Sequence, residues 1–234
     1  MKFKRPLSSE SIKIIASATM LIDHSGALLF PQAAILRAIG RISMPLFAFL
    51  IAEGCRHTKS KEKYFSRLFI LGSVCQLIYI IFSRAADNYI NILLTYAAAV
   101  GSIMLFERAA ERLCLSGQDK SSSVLIAALV VIIIISGVFS AFDFSYGLWA
   151  AAMIYAAYFL KDENVRFAVF SLFLLLYCLY STFIGYPIQL FAMFSLPLIL
   201  MYNGKRGNTI PSWFWYLFYP GHLGVLWLLQ KLIF

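Results

Sequence analysis

Long apolar runs that do not alternate with polar residues constrain the fold of this chain more than any other feature. Of its 234 residues, 61% are hydrophobic and only 13% are charged, and the mean hydropathy is +0.79. This is the composition of a membrane protein, not of a soluble domain. Inside lipid every backbone amide needs a partner within the chain, and continuous apolar runs favour helices over a barrel. We therefore predict an all-α polytopic membrane bundle.

The number of spans follows from the length of each run, because a transmembrane helix needs about 20 residues. Nine runs approach this length and are predicted to be transmembrane helices. They are 11–29, 35–54, 65–83, 89–106, 123–142, 146–160, 166–183, 186–202 and 212–233. Neither an internal repeat nor a long soluble insert is apparent. The whole chain, 1–234, is predicted to form a single transmembrane domain.

Basic residues concentrate in alternate connections of the predicted bundle, as the positive-inside rule expects. The N-terminal tail, the second connection and the fourth connection carry most of the Lys and Arg. This distribution predicts a cytoplasmic N-terminus and an external C-terminus. It also accounts for the formal charge of +9 without a nucleic-acid partner.

The first apolar run is predicted to stay in the protein as a helix. Ser8, Ser9 and Glu10 are typical of a helix start, and no small-residue cleavage site follows the run. The four cysteines show no CxxC or CxxH spacing, so the sequence predicts neither a disulfide framework nor a metal site.

Ionisable side chains interrupt the first two apolar runs and define the candidate site. Each charge costs about 2.5 to 3.5 kcal/mol near the centre of a spanning helix, so such groups normally face a protein interior or a water-filled cavity. The residues concerned are Lys13, Asp23 and His24 in the first run and Arg37, Arg41 and Glu53 in the second.

Lys13 and His24 share one face of the first helix, because 11 residues make about three turns and separate them by about 16 Å. A lysine at the mouth of the bundle suits a phosphate group, and a histidine deeper inside accepts a proton near neutral pH. The simpler alternative is that Lys13 reaches the lipid headgroups while His24 is a hydrogen-bonded packing residue. Asp23 points about 100° away from His24 and is predicted to pair with Arg37 or Arg41.

Five stretches from one end of the chain to the other carry a family resemblance. They are IKIIASATMLIDHSGALLF, LRAIGRISMPLFAFLIAEGCRHTKSKEKYFSRL, NILLTYAAAVG, DFSYG and FYPGHLGVLWLL. The chain resembles the TraX family of bacterial membrane acetyltransferases. The resemblance implies a place in the bacterial cytoplasmic (inner) membrane. It also implies acetyl transfer from cytosolic acetyl-CoA to an amine or hydroxyl of an extracytoplasmic acceptor, such as a peptide N-terminus, a glycan or a small amine.

The resemblance also implies roles for individual residues. A broader group of transmembrane acyltransferases shares a basic residue, ten residues and a histidine in the first helix, which are Lys13 and His24 here. His24 would then be a general base or a transient acetyl carrier. The remaining expectations are Asp23 and Glu53 as catalytic residues, Lys13, Arg41, Arg56 and Arg67 as acetyl-CoA ligands, and Asp143, Tyr219 and His222 as acceptor-binding residues.

Several of these residues have a second interpretation. Glu53 either lines the cofactor entrance or pairs with Arg56, and positive-inside topology alone explains the basic loop that holds Arg56 and Arg67. Asp143 binds an acceptor amine or caps the following helix. His222 is either a second site histidine or a buried packing group.

Asn91 and Thr95 lie one turn apart on the fourth predicted helix. They are predicted to make interhelical hydrogen bonds.

The alternative function is a proton-coupled transporter or channel without covalent chemistry, because intramembrane acids, histidines and arginines also mark proton and ion pathways. A transporter would favour duplicated halves with paired broken helices. Pro45 and Pro197 interrupt two predicted helices, but no matching motif surrounds them. A third possibility is a partner that scaffolds a secretion or envelope complex.

Overall fold

The computed structural model describes residues 5–83, 89–115, 120–141 and 143–233. Within these ranges helices dominate. The α-helices are α1 (Ser9–Leu28), α2 (Ala34–Gly40), α3 (Ser43–His57), α4 (Lys61–Ser83), α5 (Ile92–Leu115), α6 (Lys120–Ala141), α7 (Gly147–Phe159), α8 (Glu163–Phe183), α9 (Ser195–Leu200) and α10 (Ser212–Ile233). A 3₁₀ helix, Pro187–Phe194, precedes α9. Two short strands, β1 (Tyr89–Ile90) and β2 (Asp143–Phe144), pair in parallel. The predicted all-helical class is confirmed apart from this pairing.

Short polar side chains set the starts of two long helices. Ser8 is the N-cap of α1, and its side chain accepts a hydrogen bond from the backbone N–H of Ser11 at 3.1 Å. Asp162 caps α8 in the same way through the N–H of Val165. These bonds satisfy backbone donors that have no partner inside the helix. The helix start predicted at Ser8 is confirmed.

Four segments of the described chain are long and apolar enough to cross a membrane. They are Ala34–His57, Lys61–Ile81, Ile92–Cys114 and Glu163–Phe183. The first of them contains both α2 and α3. Nine transmembrane helices are therefore not confirmed.

Two of the nine predicted spans fail for identifiable reasons. The run 146–160 forms α7, whose 13 residues reach only about 20 Å, less than the roughly 30 Å hydrocarbon thickness. The run 186–202 divides into the 3₁₀ helix and the six-residue α9. Proline at position 187 begins one of these pieces and proline at position 197 lies within the other.

Small side chains hold the centre of the bundle together. Helices α3 and α7 pack directly against each other, and α1 packs against α2, α3 and α10. Ala48 and Ala52 of α3 and Ala150, Ala151 and Ala157 of α7 have no exposed surface. Such residues let helix backbones approach closely, which is how helices associate where lipid gives no hydrophobic driving force.

Large apolar side chains cover the outside of the bundle. On α4 alone, Phe69, Ile70, Leu77, Ile80 and Ile81 are each at least half exposed. Soluble monomers rarely expose apolar patches of this extent. The outer surface is therefore compatible with a membrane protein.

Helices α1 and α10 lie side by side and run in the same direction. Three contacts occur in the same order along both helices, at Glu10 with the segment just before α10, at Lys13 with Trp215, and at His24 with His222. We call the end where both helices start the first end of the bundle, and the end near His24 the far end.

Glu10 connects α1 to the segment before α10. Its carboxylate accepts backbone hydrogen bonds from the N–H groups of Thr209, at 2.8 and 3.0 Å, and of Ile210, at 2.5 Å. The bond from Thr209 and then the bond from Ile210 lower the pKa of Glu10 below its ordinary value. The folded protein therefore favours the charged carboxylate.

This connection predicts a pH-dependent contribution to stability. Because the folded pKa is lower than the unfolded one, the contribution of Glu10 is present above the ordinary glutamate value of about 4.3 and is lost as the pH falls through the folded pKa. The melting temperature of Glu10→Gln in detergent is expected to lie below that of wild type at pH 7, and the gap should close in acid. Glu111→Gln, at an exposed residue of α5, is the matched control. A gap that persists unchanged in acid would contradict the assignment.

Candidate functional site

An ion cluster joins the first three helices at the far end. Asp23 of α1 contacts Arg37 of α2, with 2.7 Å between Oδ2 and Nη1, and its other carboxylate oxygen contacts Arg41. Arg37 also donates to the backbone carbonyl of Asp23 at 3.0 Å. The pairing predicted for Asp23 is confirmed. Two guanidinium groups against one carboxylate leave one positive charge in excess among the described side chains.

Gly40 lets the α2–α3 junction approach Asp23. A Cβ atom at Gly40 would lie 2.2 Å from both Cβ and Oδ1 of Asp23, closer than real contacts allow. Only glycine therefore fits beside the carboxylate while both arginines hold it.

Tyr146 extends the cluster to α7. Its hydroxyl accepts a hydrogen bond from Nη1 of Arg41 at 3.2 Å. The residue occupies the N-cap of α7 with φ = 59°, a left-handed conformation that costs energy for a side chain of this size. Its ring packs edge-on against Tyr177 at 5.7 Å between centroids. Tyr146 is not among the site residues predicted from the sequence, although the Tyr–Gly pair after DFS is a turn signal.

A pair of histidines lies beside the ion cluster. Nδ1 of His24 is 2.8 Å from Nε2 of His222, although the two residues are 198 positions apart in the chain. Nδ1 of His222 is 2.9 Å from the carbonyl oxygen of Phe218, one turn earlier in α10. His222 is buried, whereas His24 is partly exposed. The structure thus places the predicted residues Asp23, His24 and His222 together.

Lys13 lies on the same side of α1 as His24, because both face α10. Its ammonium group sits 5.3 Å from the ring centroid of Trp215, in cation–π geometry. Among the described residues Lys13 makes no ion pair. The one-face prediction for Lys13 and His24 is confirmed, and the cofactor role of Lys13 stays a prediction.

A second polar cluster occupies the first end, separate from the histidines. Glu53 is buried and pairs with Arg166 of α8 at 3.2 Å, and its other oxygen is 3.5 Å from Nε2 of His57. The proposed pairing of Glu53 with Arg56 is wrong. Arg56 instead donates to the carbonyl oxygens of Ala157 and Leu160, at the end of α7.

A cavity of about 200 Å³ adjoins this second cluster. Arg166 and Tyr202 contribute its polar lining, and Phe49, Phe167 and Phe170 contribute much of its apolar wall. An ion pair between Arg5 and Glu163 also borders it. The cavity does not reach the histidine pair, so the cavity and the histidines lie at opposite ends of the bundle. We take the far end as the candidate site, because one ring nitrogen of His24 has no hydrogen-bond partner among the described residues.

The remaining predicted residues are dispersed. Arg67 is exposed on α4, and Tyr219 is buried with its ring edge against His222. Asp143 pairs through its backbone with Tyr89, and its side chain lies outside the described residues. Asp143 is not the N-cap of the next helix, since Tyr146 occupies that position. The binding roles predicted for these residues stay predictions.

Hydrogen bonds to other parts of the fold place Asn91 and Thr95 near the far end. Nδ2 of Asn91 donates to the carbonyl of Gly72 in α4 at 2.8 Å, and Oγ1 of Thr95 donates to the carbonyl of Ser145 at 3.0 Å. The prediction of a hydrogen bond to another helix is confirmed for Asn91, whereas the bond from Thr95 goes to the turn before α7. In the described part of the chain, no group of three or more His, Cys, Asp or Glu residues could hold a metal ion.

Comparison with known proteins identifies the family. The family model described as TraX protein matches residues 8–230. The chain belongs to the TraX family. It is also similar to a probable fimbrial assembly protein, FimC of serogroup H1, from Dichelobacter nodosus, with 26% identity over an alignment that covers 94% of each chain. An uncharacterized protein of Rickettsia prowazekii (strain Madrid E) is 38% identical over 66 residues, 28% of this chain and 25% of that one. No solved structure matches the chain.

These matches correct the function predicted from the sequence. The TraX family and the fimbrial assembly relative point to pilin processing or assembly and not to acetyl-CoA catalysis. The prediction of a membrane acetyltransferase, which was taken from five sequence stretches, is therefore wrong. The five stretches identify the family correctly, but they do not show that the protein transfers acetyl groups.

The close approach at Gly40 predicts a loss of stability on adding one methyl group. Gly40→Ala is expected to cost about 1–3 kcal/mol, because the new Cβ displaces Asp23 from its arginines. Gly224→Ala in α10 is the matched control, since a Cβ there meets nothing within 4 Å. Thermal unfolding in detergent measures both variants. Equal melting temperatures for Gly40→Ala and wild type would contradict the packing described above.

Proposed function

We propose that this TraX family member acts in the membrane step of fimbrial subunit processing or assembly. The observation that carries the proposal is the similarity to the probable fimbrial assembly protein, which extends over 94% of both chains. The family match, over residues 8–230, includes all the residues that build the two polar clusters. The sequence alone also allows a partner that scaffolds an envelope complex.

The distribution of charge supports a specific orientation in a bacterial inner membrane. The described basic groups at the first end include Arg56, Lys61, Arg108 and Arg166. At the far end the basic groups Arg37 and Arg41 share the carboxylate of Asp23 (described above). The positive-inside rule then assigns the first end, and with it the N-terminus, to the cytoplasm. The histidine pair would face the external side, where fimbrial subunits are delivered.

The far end offers the groups that a subunit segment needs when it leaves lipid. Backbone and side-chain polar groups inside a membrane are costly unless they are hydrogen-bonded. The partly exposed His24 and Arg37 lie on neighbouring helices within one cluster. We propose that this cluster contacts the fimbrial subunit.

Deleting the gene in its native bacterium tests the proposal. Loss of the protein is expected to reduce surface fimbriae several-fold while the subunit is still made, and wild type on a plasmid should restore them. Electron microscopy counts the fibres, and mass spectrometry of the subunit separates the two forms of the proposal. A changed subunit mass indicates processing, and an unchanged mass with lost fibres indicates assembly.

Two variants test whether the formation of fimbriae depends on His24. His24→Ala is expected to fail to restore fimbriae at wild-type protein level in the membrane, whereas Glu111→Gln should restore them. Unchanged fibre number together with unchanged subunit mass after deletion would refute the proposed function.

A further inference from the structure

Hydrogen-bond donors and acceptors in the histidine pair can be assigned from one fixed point. A carbonyl oxygen only accepts, so Nδ1 of His222 must carry the proton that it donates to Phe218 at 2.9 Å. A neutral imidazole has one N–H group, and Nε2 of a neutral His222 is therefore an acceptor.

The assignment continues to His24. Because Nε2 of His222 accepts, Nδ1 of His24, 2.8 Å away, must donate. Nε2 of His24 then holds a lone pair. No described residue forms a hydrogen bond with this atom. The atom is not fully buried.

Both rings are expected to be neutral, because a charge inside the bundle is costly unless an opposite charge pairs with it. No described carboxylate forms an ion pair with either ring. Asp23 is held by Arg37 and Arg41, whose excess positive charge opposes a further cation beside them.

Contacts around His222 hold its ring in place. The ring stacks on Phe218 at 5.2 Å with 19° between the planes, and Tyr219 packs edge-on against it at 5.6 Å. His222 is 7% exposed. It is therefore a fixed partner to which the more exposed His24 must adapt.

We propose that His222 is a positioning residue that fixes His24 in its Nδ1–H form, so that Nε2 of His24 presents a lone pair to a neutral hydrogen-bond donor. The donor is a hydroxyl, an amide or an un-ionised amine, because the excess charge of the neighbouring arginines opposes a cation. Its source, a segment of the fimbrial subunit, rests on the proposed function. The hydrogen-bond assignment does not.

Nitrogen-15 NMR of the histidine side chains in full-length protein in nanodiscs tests the assignment directly. The chain has three histidines. His57, whose side chain is 71% exposed, is removed as His57→Gln to leave the pair. The expected spectrum has a protonated Nδ1 and an unprotonated Nε2 on His24. A protonated Nε2 on His24 in otherwise wild-type protein would overturn the proposal.

Two variants separate positioning from packing. His222→Gln keeps an acceptor oxygen near the former Nε2 position, so His24 should retain its Nδ1–H form. His222→Phe keeps an aromatic ring but no acceptor, and the Nε2–H fraction of His24 should rise several-fold. If the variants give the same His24 spectrum, His222 does not set the protonated nitrogen.

Adding the purified fimbrial subunit tests the ligand class. Nε2 of His24 is expected to shift as it accepts a hydrogen bond, while Nδ1 stays protonated. Protonation of both nitrogens, or no shift, would overturn the neutral-donor assignment.

In cells, His222→Gln should restore fimbriae better than His222→Phe. If fibre number responds to no variant while the NMR result holds, the proposed function fails and the positioning role of His222 stands.

Discussion

The carboxylate of Asp23 is the contact on which the far end depends, because it holds two arginines from the following helices against α1. Burying one carboxylate with two guanidinium groups is tolerable only when hydrogen bonds match the charges, and removing one partner of such a buried pair typically costs about 3–5 kcal/mol. The cluster fixes the turn between α1 and α2, and Gly40 permits the approach. His24, the next residue after Asp23, is positioned by the same helix.

The two polar clusters differ in how well their hydrogen-bonding groups are matched. At the first end Glu53 meets Arg166 and His57, and the neighbouring Arg56 caps the end of α7. Each of these groups has a partner, and together they connect α3 with α7 and α8. At the far end one imidazole nitrogen lacks a partner among the described residues. Unmatched groups inside a bundle are costly, so their presence favours a binding role for the far end.

The sequence predicted local relations well and long-range ones poorly. Helical spacing predicts that Lys13 and His24 share one face. The 100° angle between neighbouring side chains predicts that Asp23 points away from His24 and toward the arginines. Both follow from one helix and its neighbour. The contact between His24 and His222 spans 198 positions, and no periodicity within either helix contains it. The count of nine spans is not confirmed. One reason is that hydropathy measures apolar length and does not report where a run changes from α to 3₁₀ geometry, as at 187–194.

The acetyltransferase prediction is wrong because a sequence motif does not by itself specify a chemical reaction. A lysine followed by a histidine three turns later suits an anionic ligand in isolation. In the folded protein Lys13 lies over Trp215, and His24 donates toward His222 under the proton assignment argued above. The chemistry of a histidine depends on which nitrogen its neighbour occupies, and here that neighbour comes from the last helix. A site assembled from both ends of the chain forms only when α1 and α10 pack in parallel. The first helix alone therefore supplies only half of the histidine pair.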